Sequence, residues 1–208
     1  MRLLLIAQHF YPEMVSTGLH MTELTTRWKA RHPEREFTIF TAQDAKTDQQ
    51  APSFQVHKGL NIHRVQNLGR QHGSLPQRIL FSVRFMVRAF GFVFSRRHAY
   101  DLILITTNPP FLGILMLLLQ PFSRLPFVLI AYDIYPQILT RMGILRDGGL
   151  VARLWQRLNV SVYNRAERVI AIGEDMRRII LEEMRIRRPE RVELIHNWSD
   201  RHTVHPVP

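Results

Sequence analysis

The amino-acid sequence predicts an α/β fold, a Rossmann-like doubly wound parallel sheet of about seven strands. Two observations predict it. Short apolar runs alternate along the chain with segments of helical period, and most of the runs are apolar at every position, the pattern of strands buried on both faces. With 208 residues, 46% hydrophobic and 22% charged, the chain is long enough for one domain with a substantial core and short for two.

The first run, residues 3–7, could pass for the start of a signal peptide, but it breaks at Gln8-His9 with no small-residue cleavage pattern after it. It reads as a buried strand. A helix over 18–31 and a strand over 37–41 follow. Residues 44–59 are polar, hold Pro52 and read as a loop. After a strand over 60–65 comes a long helix over 75–97, opened by Ser74-Leu75-Pro76-Gln77, which has the residues of a capping box and a proline in the first turn. A strand over 102–106 and a helix over 109–122 are next. The apolar stretch 111–119 ends at Gln120-Pro121, well short of the ~20 residues a bilayer requires, and reads as a buried helix. A strand over 127–131, a helix over 150–165, a strand over 169–172, a helix over 174–184 and a strand over 192–195 complete the alternation.

Composition excludes some chemistries. Without cysteine there is no disulfide, thiolate zinc site or cysteine nucleophile, and no two of the ten histidines have a metal-ligand spacing on one clear helix face, so no metal is assigned. The net charge of +11 is concentrated: between Asp48 and Asp101 there is no acid, whereas Lys58, Arg64, Arg70, Arg78, Arg84, Arg88, Arg96 and Arg97 are basic. Such a field suits a polyanion or an anionic membrane surface. On the long helix, Ile79, Val83, Met86, Val87, Phe90 and Phe94 fall on one broad face, expected to pack on the sheet. Arg84 and Arg88 lie elsewhere with Phe81, Phe85 and Phe92, and arginines beside exposed phenylalanines are how a helix sits at an anionic membrane. The expected membrane residues are thus Arg78, Arg84, Arg88, Phe81, Phe85 and Phe92; the alternative is that neighbouring structure covers the rings. No nucleic-acid partner is expected, because the aromatics recur at helical spacing and no reader motif is present.

In an open parallel sheet, ligands collect outside the carboxyl ends of the strands. The first such junction, residues 8–18, closes on Thr17-Gly18. Thr17 can cap the helix and Gly18, without a Cβ, can let a phosphate or sugar reach its amides; a bland loop with an ordinary cap is the alternative. Neither a Gly-x-Gly-x-x-Gly fingerprint nor a Walker loop is present.

Five segments in order carry a family resemblance. They are the opening strand with Phe10-Tyr11-Pro12-Glu13 and Gly18; residues 104–110; Ala131-Tyr132-Asp133-Ile134-Tyr135-Pro136; residues 169–177; and Ile195-His196-Asn197-Trp198-Ser199-Asp200. The chain resembles the N-terminal half of family-4 glycosyltransferases of the GT-B fold, most closely the bacterial branch that builds exopolysaccharide, capsule and O-antigen, colanic-acid-type enzymes included. The resemblance implies an acceptor-side domain over 1–200, with 201–208 starting a linker to a missing donor-binding domain. It implies retaining transfer, without metal or cofactor, of a hexosyl group from a nucleotide-sugar donor, UDP- or GDP-linked and held mostly by the other domain. The implied acceptor is a lipid-linked glycan, and the implied location is cytoplasmic, peripheral at the inner face of the cytoplasmic membrane. Isolated, this domain is expected to be inactive. The resemblance further implies that Asp133 is the catalytic residue lining the cleft, and that Glu13, Thr17, Gly18, Asn108 and Glu174 border donor or acceptor. Asn108 would cap the helix after it, and Glu174 matches a Ser-Glu pair in which Gly173 replaces the common serine. A noncatalytic acceptor subunit of a split transferase and half of a sugar-nucleotide epimerase are the alternatives.

Overall fold

The computed structural model describes residues 1–13, 15–43, 51–66, 68 and 73–198; the expected linker start at 201–208, Ser199-Asp200 of the last motif and Arg70 of the basic run lie outside them. In chain order the elements are β1 (Arg2–Ile6), α1 (Ser16–Arg31), β2 (Glu36–Ala42), β3 (Phe54–His57), β4 (Leu60–Val65), α2 (Leu75–Ser95), β5 (Leu102–Thr106) and α3 (Leu112–Leu119). Then come β6 (Phe127–Ala131), α4 (Gln137–Arg141), α5 (Leu150–Arg165), β7 (Arg168–Ala171), α6 (Glu174–Glu183), a 3-10 turn (Pro189–Arg191) and β8 (Val192–Leu194).

The strands form one sheet in the order β3-β4-β2-β1-β5-β6-β7-β8. Seven of them are the predicted parallel strands. The eighth, β3, pairs antiparallel to β4 inside the stretch expected to be a loop. It is an edge strand with Phe54 and Val56 half exposed or more, so it lacks the continuous apolar signature. Its signal is the two-residue turn Lys58-Gly59, both at positive φ, which closes a tight hairpin.

From β1 the chain builds outward to β2 and β4 on one side and, after α2, to β5, β6 and β7 on the other. The switch point lies between β1 and β5, where an open α/β sheet presents its ligand crevice. Successive strand residues feed opposite faces. Leu4, Ile6, Ile103, Ile105 and Leu129 join the core beneath α2, α3, α5 and α6. Leu3, Leu5, Phe37, Ile39 and Leu60 join a smaller core under α1, which packs over β2 and β4. Beyond α1, the second face of β5, β6 and β7 opens on a cavity of about 310 Å³ lined by Leu104, Val128, Ile130 and Ile170, with Trp28 and Trp198 also in its lining. No described helix is long and apolar enough to cross a membrane.

Helix α2 begins as expected, Gln77 Oε1 accepting from the Ser74 N–H at 3.0 Å to close the capping box. Its orientation is the reverse of the expectation. Phe81 and Phe85 are 2% and 0% exposed and pack in the core with Ala89 and Val93. Phe92 is partly buried against Phe40, ring centroids 4.7 Å apart, with the Arg96 guanidinium over its ring at 4.3 Å. Ile79, Val83 and Val87, expected inside, are exposed, whereas Met86, Phe90 and Phe94 are only partly buried. The helix carries two apolar stripes, and the one with the larger rings goes inward because each buried aromatic removes roughly 150–250 Å² from water.

Candidate functional site

At the carboxyl edge of the sheet three loops converge, following β1, β5 and β6. Each contains an X-Pro bond in the cis form: Tyr11–Pro12, Asn108–Pro109 and Tyr135–Pro136. With neighbouring strands about 4.8 Å apart, the carboxyl ends of β1, β5, β6 and β7 form a row roughly 15 Å long, and Gly18, Asn108, Asp133 and Glu174 follow along it in that order.

In the first loop, His9 Nδ1 lies 2.7 Å from Glu13 Oε2, with about a tenth of either side chain exposed. The carboxylate only accepts, so Nδ1 carries the proton. The buried Arg64 of β4 donates to the Tyr11 carbonyl at 2.8 Å and the Pro52 carbonyl at 3.2 Å. Burial lowers its pKa, against the opposing pull of Tyr11 and Glu13. Tyr11 also stacks on His57 of β3 at 4.0 Å, so the missed strand buttresses the site.

Thr17 does not cap α1. The cap is Val15, and Thr17 is buried within the first turn. Nor is the space beside Gly18 open to a ligand: a Cβ there would stand 2.5 Å from the Glu13 carbonyl oxygen and 3.3 Å from His9 Cβ. The glycine admits the protein's own loop. Asn108 is not the cap of α3 either, which starts after Phe111; its carbonyl instead accepts from the Thr106 hydroxyl at 2.9 Å.

Asp133 follows β6. Thr107 Oγ1 accepts from the backbone N–H of both Tyr132 and Asp133, each at 2.9 Å, which ties the second loop to the third. Burial alone raises the Asp133 carboxyl above the usual aspartate range. The Tyr135 phenol is pushed up to about 12, by burial first and by the charge of Asp133 second, with Arg78 at the start of α2 pulling it back. The buried Tyr163 is raised by burial and by the same aspartate. Beneath them Trp155 stacks on Phe111 at 4.5 Å and on Tyr135 at 5.5 Å, and Asn159 donates to the Tyr135 carbonyl at 2.6 Å. Asp133 therefore projects from a braced loop on an aromatic base. Glu174, first residue of α6, is exposed, and a Cβ on Gly173 would meet nothing within 4 Å. The glycine does not arise from crowding. Trp198 donates from Nε1 to Glu23 Oε2 at 2.7 Å and meets His20 edge-on, fastening the last motif to α1.

Sequence reasoning missed Thr107, His9, Arg64 and the Trp155 stack. Thr107 and Arg64 are polar residues at strand ends beside other polar residues, and His9 and Glu13 face each other only because the loop folds back. None leaves a periodic trace.

A raised carboxyl pKa fixes a sign. The folded chain holds the Asp133 proton more tightly than the unfolded chain, so this group's contribution to stability is complete below the unfolded value of about 3.9 and is lost as pH rises through the folded one. Asp133→Asn is expected to raise Tm by about 1–3 °C at pH 7, a small gain because the carboxyl is partly solvated, and by nothing near pH 3.5. Scanning calorimetry at both pH values checks this; an equal shift at both would assign the gain to something other than charge.

The model of the glycosyl transferase 4-like domain family matches residues 16–198. The chain belongs to this family. The probable glycosyltransferase WbjE of Pseudomonas aeruginosa is 33% identical to this glycosyl transferase 4-like chain over 141 residues, 68% of this chain and 33% of WbjE, so the chain matches about a third of that relative's length. Sucrose-phosphate synthase from Thermosynechococcus elongatus superposes on all of this family-4 chain, and on 50% of its own, with a TM-score of 0.71 at 14% identity. The α,α-trehalose 6-phosphate synthase of Burkholderia multivorans gives 0.53 over 87% of this chain and 41% of its own at 9% identity. These likenesses show a shared fold.

Proposed function

We propose that this chain is the acceptor-side domain, over residues 1–200, of a retaining glycosyltransferase. It moves a sugar from a UDP- or GDP-sugar to a lipid-linked glycan acceptor in polysaccharide synthesis. The observation that carries the reading is the position of Asp133, a partly buried carboxyl with a raised pKa, on a loop braced by Thr107 beside the switch point of a family-4 domain. Asp133 takes the proton of the acceptor hydroxyl as that oxygen bonds to the anomeric carbon and the nucleoside diphosphate departs. A carboxylate lifted from its ordinary range is the better base. The loop with Glu13, together with Asn108 and Glu174, borders the two substrates.

Two thirds of WbjE lies outside the matched part, and the reading gives most of the donor contacts to such a second half. A lipid carrier on the acceptor places the protein at the inner face of the cytoplasmic membrane, with Arg78, Arg84 and Arg88 of α2 toward anionic headgroups.

Calorimetric titration of the 208-residue chain with UDP- and GDP-sugars is expected to give dissociation constants weaker than about 1 mM and no transfer. Low-micromolar binding with turnover would contradict the assignment of the donor site to another domain.

A further inference from the structure

The membrane reading above involves one helix, and the fold adds a second element to it. Helices α2 and α5 each lead into the parallel strand that follows and so run against the sheet. Their amino-terminal ends therefore lie at the carboxyl edge, the edge that carries Asp133. Helix α3 packs against both, which sets them about 20 Å apart on one face. Arg78 at the start of α2 is close enough to Tyr135, just before α4, for its charge to act on the phenol.

Both ends expose aliphatic side chains. On α2 they are Ile79, Leu80, Val83 and Val87, between 39% and 61% exposed. In the α4–α5 segment Met142 is 65%, Leu150 79%, Val151 62% and Leu154 57% exposed. The core stripe of α5 is a different set, with Ala152, Trp155, Asn159 and Val162 turned inward, so the outward leucines are surplus to packing. The charge around both ends is predominantly positive. Arg78, Arg84 and Arg88 flank the first set and Arg141, Arg146, Arg153 and Arg157 the second, against Asp147 and against Glu183, which accepts from Gln137 of α4 at 2.7 Å.

We propose that the amino-terminal half of α2 and the 142–154 segment form one docking surface for an anionic lipid bilayer, the 142–154 segment being the part that inserts. A protein partner is a poorer fit, because protein interfaces centre on aromatic anchors and these exposed tips include none. Apolar tips ringed by arginine suit the boundary between anionic headgroups and acyl chains. The surface borders the site, so a lipid-anchored acceptor bound there reaches Asp133 without leaving the membrane. This last step rests on the proposed function; the docking itself does not.

The test is cosedimentation of the chain with phosphatidylcholine vesicles holding 0 to about 40% phosphatidylglycerol. Binding of the wild type is expected to rise with anionic lipid and fall with salt. Arg84→Glu with Arg88→Glu is expected to remove most of it. Met142→Ser, Leu150→Ser and Leu154→Ser together are expected to lower it at least tenfold while its salt dependence remains. All these side chains are exposed, and an unchanged circular dichroism spectrum verifies that the variants fold. If the triple variant binds like the wild type while the α2 variant fails, the second element is overturned and the α2 reading stands. Wild-type protein that ignores lipid charge overturns both. A dimer in sedimentation velocity without lipid, dissolved by the triple variant, makes this face a protein contact and overturns the proposal as well.

Discussion

Asp133→Ala, in the protein that carries this domain together with its donor-binding half, is expected to lower kcat by about 10²- to 10³-fold, within the range for loss of a general base. The expectation follows from how little else Asp133 does. Its backbone N–H, not its carboxylate, makes the bond to Thr107, and its charge is a cost to the folded state because burial raises its pKa. Removing the carboxylate therefore spares the fold and deletes the group that accepts the acceptor's proton. Asp133→Asn keeps the shape and loses the basicity, so it should fall nearly as far. Steady-state kinetics separates the outcomes: a fall in kcat with KM little changed points to an interaction made in the transition state, whereas a rise in KM alone makes Asp133 a binding residue. Wild-type rates in both variants would remove it from the mechanism.

Gly18→Ala is expected to destabilise the chain by about 2–3 kcal/mol, a Tm lower by roughly 5–10 °C. The added methyl would stand 2.5 Å from the Glu13 carbonyl oxygen, and that oxygen is backbone. It cannot swing aside as a side-chain end would, and moving it disturbs the Glu13 side chain on His9. Gly173→Ser is the matched comparison. Nothing lies within 4 Å of its Cβ position, so the serine is accommodated without displacing a neighbour and Tm is expected to stay within about 1 °C. Thermal unfolding of the two variants side by side measures the difference, and an unperturbed Gly18→Ala chain would mean that the loop yields freely.

The sheet was legible because strands such as residues 102–106 and 127–131 are buried on both faces, which requires apolar residues at every position and leaves little ambiguity. Helix α5 was legible for a different reason: its inward residues Ala152, Trp155, Asn159 and Val162 recur at helical spacing. Helix α2 was legible as a helix but not in orientation, since Ile79-Val83-Val87 and Phe81-Phe85-Ala89 both satisfy the helical period. Which stripe turns inward is decided by the sheet surface it meets, here Phe40 at 5.6 Å from Phe85, a contact between residues 45 positions apart. The same limit applies at the site. The five motif segments located the loops that border the crevice, yet the interior of those loops was read through generic rules, a threonine for a cap and a glycine for access. In the structure both are consumed by the fold-back of residues 8–13 onto α1.

The cavity over β5–β7 also bears on how this chain responds to heat. A doubly wound sheet ordinarily buries both faces, and unfolding then wets a large apolar area at once. Here a cavity stands over part of one face, between Trp28 and Trp198, yet the strand residues Leu104 and Ile130 beneath it are buried. Only slightly less new hydrocarbon enters water when the chain opens, so the heat capacity increment of unfolding stays close to that of a fully covered sheet. Chilling and warming therefore change the free energy of this domain almost as steeply as they would for an α/β sheet covered on both sides.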